Sequence, residues 1–345
     1  MTRRTGSRTR ERGPARRRAL GALILIAALL TACLASLAVG TAQIPLHTVW
    51  HAITAYDPTD PEHIAIVAKR LPRTLAGLAV GAALGLSGTL AQGLTRNPLA
   101  DPGILGISQG AALAVVTAIT VFGATAPSQY LWFAFLGACV AAILVWTIAS
   151  RGRDGATPVK LALAGAAIAA SFGSLVAGVL IANQQALDTM RFWQVGSLAG
   201  RGLDVLLPAL PAIVLASLGA LLMGRSLNLL ALGDDTAQAL GLKPGRSRLI
   251  SGALMAVLAG AATAVAGPIA FLGLVVPHAV RFVVGHDYRW VLAYSAPAAA
   301  ALLVAADVVA RIVARPGEVQ VGIVLAVIGA PVFIGIVRRG KAAGL

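Results

Sequence analysis

From Ala19 to the Arg338-Arg339 pair, one run of roughly twenty apolar residues follows another, with only short polar turns between most of them. As a helix rising about 1.5 Å per residue, each run is about as long as the hydrocarbon core of a bilayer is thick, about 30 Å. Inside lipid a backbone amide finds no water, so a crossing segment must satisfy its own amides, and a helix does this. The apolar runs are 19–40, 73–94, 104–122, 130–149, 159–182, 204–223, 249–267, 269–284, 290–312 and 320–337, the third and eighth being short or weak. The pattern predicts an all-α polytopic membrane protein with ten transmembrane helices. Residues 1–18 read as a basic, disordered cytoplasmic tail and residues 19–345 as one transmembrane domain. Only 12% of the residues are charged, about half the share of a soluble domain.

A net charge of +15 would point to nucleic acid in a soluble protein. Here the arginines crowd the tail, at Arg3, Arg4, Arg8, Arg10, Arg12 and Arg16 to Arg18, with no aromatic or folded module beside them. No nucleic-acid partner is expected. With both termini cytoplasmic, inner Lys and Arg outnumber outer ones by about three to one, which orients the chain as a multi-pass protein of the cell membrane.

One polar island breaks the pattern. Gly224 to Arg248, GRSLNLLALGDDTAQALGLKPGRSR, is far longer than a turn requires and lies on the cytoplasmic side in this orientation. Asp234 and Asp235 open a short helix at the end its dipole favours, and Gly241 closes it. Pro244 prevents its continuation. Two readings stay open from the island alone: a docking surface for another protein, or a loop held inside by its own cations.

The helical pattern also breaks within the apolar runs. Arg96-Asn-Pro-Leu-Ala-Asp-Pro-Gly103 interrupts the chain after a glycine-rich run carrying Gly77, Gly81, Gly85 and Gly88, and Gly267-Pro-Ile-Ala-Phe-Leu-Gly-Leu-Val-Val-Pro-His278 does so after a second one. The first follows an inward-running helix and the second an outward-running one, as in an inverted internal repeat. Irregular backbone at such depth needs protein or water around it. Asp307 and Arg311 stand four residues apart, and the spacing lets the carboxylate hold the guanidinium inside the membrane. His47 and His51 have helical ligand spacing, but no Cys or carboxylate cluster completes a set, so they and His63 read as polar surface histidines and no metal site is expected. His278, after Pro277, reads as a buried structural histidine. Cys33 and Cys139 read as small core residues.

The chain lacks G-x-x-x-x-G-K-[ST] and H-E-x-x-H. No catalytic residue and no cofactor are expected. The membrane core has almost no acid besides Asp307, which disfavours the rival reading, an ion-coupled secondary transporter.

The motifs Arg70-Leu-Pro-Arg73, NPLADPGILGIS (97–108), Trp193-Gln-Val-Gly-Ser197, LNLLALGDDTAQALG (227–241), GPIAFLGLVVPHAVR (267–281), DVVAR (307–311) and GEVQVGIVLAVIGAPVFI (317–334) occur in this order. Together they resemble the membrane-spanning permease subunit of ABC importers for iron–siderophore complexes, cobalamin and haem, the FecCD/BtuC-type family. The resemblance implies ten helices, a second permease subunit of the same or a homologous chain, two ABC ATPase subunits and an extracytoplasmic substrate-binding protein. It implies that the island carries short cytoplasmic coupling helices, with Asp234, Asp235, Ala239, Leu240 and Gly241 meeting the ATPase. It implies that Arg70, Arg73 and Arg311 receive carboxylates of the binding protein. It places a cytoplasmic gate in the loop Gly152 to Lys160, where only Thr157 keeps a small hydroxyl side chain.

Overall fold

The computed structural model describes residues 13–40, 43–151 and 157–342. In chain order its helices are α1 (Gly13–Ala38), α2 (Leu46–Thr54), α3 (Pro61–Ile64), α4 (Leu71–Thr95), α5 (Ile107–Phe122), α6 (Pro127–Ala149), α7 (Pro158–Ala182), α8 (Gln184–Gln194), α9 (Leu203–Leu222), α10 (Gly224–Ala231), α11 (Asp234–Ala239), α12 (Pro244–Ala266), α13 (Leu272–Val284), α14 (Tyr288–Val313) and α15 (Val321–Ala342). The described residues contain no sheet. Among the described residues, seven helices are long and apolar enough to cross a membrane, and three shorter apolar ones cover Ile107–Phe122, Leu272–Val284 and Val321–Gly335.

Two boundaries differ from the sequence expectation. Helix α1 starts at Gly13, so the last arginines of the tail are helical rather than disordered. Tyr294 donates to the Arg18 carbonyl at 2.7 Å, and the Arg18 guanidinium lies 4.9 Å from the Trp290 ring centre. The segment before the run 73–94 contains α2 and α3, and a π-helical turn, Ala65–Arg70, fuses α3 to α4, so this helix begins at Pro61 rather than near residue 73. The Asp60 carboxylate caps α3 by accepting from the Glu62 amide, and Pro61 occupies the first turn, where its missing N–H leaves no bond unmade.

Helix α4 lies at the centre. In its most apolar stretch 78% of the residues are buried, against 17% for α1 and for α7. The glycine stripe explains this position. A Cβ at Gly85 would collide with the Ser295 carbonyl of α14, and one at Gly88 with the Gly273 carbonyl of α13. Only backbone this bare allows such close approach, and dispersion across the close contact does the work that water-driven burial does in a soluble core. Helix α12 closes the third side, where the Ser87 hydroxyl donates to the Met255 carbonyl at 3.0 Å. Large apolar side chains such as Leu23, Leu136, Ile143, Leu215 and Leu222 point outward, as a lipid-facing surface requires.

Candidate functional site

Three groups of residues draw attention: the island, the opposite end of the bundle, and a cleft between them.

The island is two helices. Helix α10 continues α9 after a single residue, Met223. Asn228 on α10 donates to the Asp287 carboxylate at 2.7 Å and accepts from the Tyr288 amide at 2.9 Å, which fastens the island to the start of α14. Asp287 also takes a two-pronged bond from Arg289. Arg289 first, then the Asn228 bond, holds its carboxyl well below the usual carboxylate range. On α11, Asp234 accepts from Arg96 at the start of the first break and from Arg248 on α12 at 2.8 Å. One carboxylate thus ties the island to α12 and to the end of α4. Gly241 has φ +83°, a left-handed stop that suits glycine, and it lets the Leu242 amide reach the Ala237 carbonyl at 2.9 Å. Asp235 and Ala239 are exposed, and so are the apolar Leu232 and Leu240, at 59% and 58%. Two leucines standing out of a polar loop mark a surface shaped for contact.

The opposite end holds the expected arginines in an unexpected arrangement. Arg311 is not presented to a partner: it is 3% exposed, donates to Asp307 through Nε at 3.0 Å, and donates to the Ser36 hydroxyl and carbonyl at 2.7 and 2.9 Å. The i, i+4 pairing expected of Asp307 and Arg311 is present, but it is buried, which corrects the view of Arg311 as an exposed docking cation. Arg73 grips the same carboxylate and donates to Glu318 at 2.7 Å. Ser36 shares a 2.7 Å bond with Thr74, so α1, α4 and α14 meet in one network. Arg70 donates to the Leu37 carbonyl at 2.7 Å and lines an open cavity of about 760 Å³ together with Arg73, Arg201 and Glu318.

The two helix breaks converge. Asp101 caps the short 3₁₀ turn Pro102–Leu105 through the Gly103 amide at 2.8 Å. Asp101, Gly103 and Ser108 then face Pro268, Ile269 and Ala270 of the second break across a cleft of about 440 Å³. The Trp193-to-Ser197 motif joins them: the Ser197 amide donates to the Ala266 carbonyl at 2.7 Å, and the Gly322 amide donates to the Gly196 carbonyl at 3.1 Å.

Other expected residues stand apart from these groups. Thr157 caps α7 by accepting from the Lys160 amide at 3.4 Å, and residues 152–156 of the expected gate loop lie outside the described residues. His47 and His51 are exposed, but His63 is buried, with Nδ1 accepting from the Asp57 amide at 3.0 Å. His278 is half-buried, set edge-on against Phe282 rather than enclosed. Sequence reasoning passed over Arg201, the Asn228–Asp287 clamp and Gln92, which accepts from Arg281 and donates to the Leu274 carbonyl at 3.1 Å. A glutamine inside a glycine-rich membrane helix was the available signal.

The sequence profile of the FecCD transport family matches residues 27–339. The chain belongs to the FecCD transport family. Among its FecCD relatives, the Ferric enterobactin transport system permease protein FepD of Escherichia coli (strain K12) is 45% identical over 327 residues, covering 95% of this chain and 97% of that protein. The Hemin transport system permease protein HmuU of Yersinia pestis is 39% identical over 328 residues, covering 93% and 96%. A solved structure described as an inward-facing conformation of a metal-chelate type ABC transporter superposes with a TM-score of 0.81 at 29% identity, over 92% of this chain and 98% of the other. The FecCD family is one of transport permeases, and the long apolar helices make this member a multi-pass membrane protein.

Proposed function

We propose that this chain is the permease subunit of an ATP-driven importer that carries a metal chelate, a ferric siderophore, into the cytoplasm. The observation that carries the reading is the knot at Asp234. An exposed surface with two bare leucines is tied by one carboxylate to α12 and to the end of α4, so a push on the island reaches the helices beside the cleft. ATPase subunits pressing on Asp234 to Gly241 would supply that push. The seven long and three shorter apolar helices support a reading of ten crossings, in which both termini and the island are cytoplasmic. The cleft between the two breaks is the chain's share of the pathway, completed by a second permease subunit, and the breaks are the equivalent parts of an inverted repeat. Arg70 and Arg73 face an extracytoplasmic binding protein, Arg311 braces them from within, and Thr157 sits at the cytoplasmic gate. The relatives named for ferric enterobactin and hemin support a chelate as cargo.

The test is reconstitution in proteoliposomes with the ATPase and binding protein of the same system. Uptake of a radiolabelled ferric siderophore should require ATP and survive collapse of ion gradients. Uptake that follows an ion gradient without ATP would favour the secondary transporter instead.

A further inference from the structure

The cavity opposite the island contains a cation that the described residues leave without a counter-ion. Lys69, Arg70, Arg73 and Arg201 line it, against the acids Glu62, Asp204 and Glu318. Arg73 is committed to Asp307 and Glu318. Among the described residues, Arg201 is paired with no acid. It is 6% exposed, its Nε makes one long bond to the Ser197 carbonyl at 3.4 Å, and its Nη1 has no hydrogen-bond partner. The loop that carries it is pinned, because Ser197 is bonded to the end of α12 and Gly196 to the start of α15. A guanidinium held out of water without a counter-ion is unfavourable, and its planar edge matches an oxyanion in two-pronged fashion. A protein docking on the rim meets exposed groups, whereas Arg201 lies beneath them. A small molecule entering the cavity is the better fit, and about 760 Å³ is within the range of small-molecule sites.

We propose that this cavity is an oxyanion site with Arg201 as its recognition cation. Resting on the importer reading above, its ligand is an anionic metal chelate that presents carboxylate or other charged oxygens as it enters the pathway.

The experiment uses the purified full chain in nanodiscs of neutral lipid, with ferric citrate as the anionic probe and a cationic ferric trihydroxamate as the contrast, both carrying labelled iron in equilibrium dialysis. Ferric citrate should bind the wild type, and Arg201→Gln should weaken that binding about tenfold, with thermal stability and elution volume unchanged. Arg201→Lys should recover part of the affinity. The cationic chelate should not follow this order, so the ratio of the two affinities reports the site even where a variant is less stable. No ferric citrate binding to the wild type, or equal binding by all three proteins, overturns the proposal. So does a loss of binding-protein association in Arg201→Gln with ferric citrate binding intact, because the carboxylate would then belong to the partner. A wild type that binds ferric citrate but imports no chelate with ATP removes the importer reading and leaves the oxyanion site standing.

Discussion

Arg73 grips the Asp307 carboxylate with Nε at 3.0 Å and Nη2 at 2.8 Å, joining residues 234 positions apart in the chain. The same carboxylate holds Arg311, so one buried acid serves two arginines. This arrangement marks Arg73 and Arg311 as residues that hold the fold.

Removing one member of the buried network should damage the fold before it damages docking. Arg311→Ala leaves Asp307 short of a donor and takes two bonds from Ser36, a change of about 3–5 kcal/mol in comparable buried pairs. Thermal unfolding in detergent should fall by many degrees. A variant with unchanged stability and lost binding-protein affinity would return Arg311 to the docking surface.

Arg70 and Arg73 should part company under charge reversal. Arg73→Glu sets a carboxylate against Asp307 and should yield little folded protein. Arg70→Glu loses bonds that include the one to the Leu37 carbonyl, but its side chain is only half-buried at the edge of the cavity, and it should fold. It should slow association with the binding protein and flatten the salt dependence. The same association rate and salt slope as wild type would count against docking at Arg70.

At the island, Ala239→Trp should leave expression and thermal stability intact, because Ala239 is exposed. It should abolish co-purification of the ATPase and ATP-driven uptake. Gly241→Val forces a branched side chain into a left-handed conformation and should uncouple uptake by moving Leu242. Normal uptake in both variants would remove the coupling surface from this loop.

Asp287 gives the island a pH dependence with a definite sign. Its carboxyl is held below the ordinary value, so its stabilisation is complete above the unfolded value of about 3.9 and is lost as pH falls through the lower folded value. The stability gap between wild type and Asp287→Asn should be constant at neutral pH and close below about pH 4. A gap that instead widens in acid would reverse the assignment.

The orientation can be checked with single cysteines after Cys33 and Cys139 are replaced. Pro58→Cys should react with an impermeant thiol reagent in intact cells, and Leu240→Cys should react only after lysis. Both positions are exposed. Labelling of Leu240→Cys from outside would invert the chain.

Much of this was legible in the sequence because it is local. Hydropathy placed the helices, proline and glycine placed both breaks, and the four-residue spacing placed Asp307 beside Arg311. The grip of Arg73 on Asp307 was not legible, since no periodicity links residues on α4 and α14. For the same reason Arg311 read as exposed: its position at a helix end was visible, and the Ser36 oxygens that enclose it were not. The fused helix from Pro61 was not legible in the apolar runs because Glu62, His63, Lys69 and Arg70 interrupt its hydropathy, while Pro61 stands in the first turn, where proline costs a helix nothing.

Helix α4 carries Arg73 at one end and Arg96 at the other, with its tightest contact at Gly88. Measured along the axis, Gly88 is about 22 Å from Arg73 and about 12 Å from Arg96. A rod that rocks on that contact is a lever with unequal arms. A shift of about 1 Å delivered to Arg96 by the island would appear as about 2 Å at Arg73, in the opposite direction. Under the proposed coupling, the bare backbone at Gly88 and Gly273 would act as a fulcrum, placed so that a small movement on one side of the membrane would become a larger one on the other.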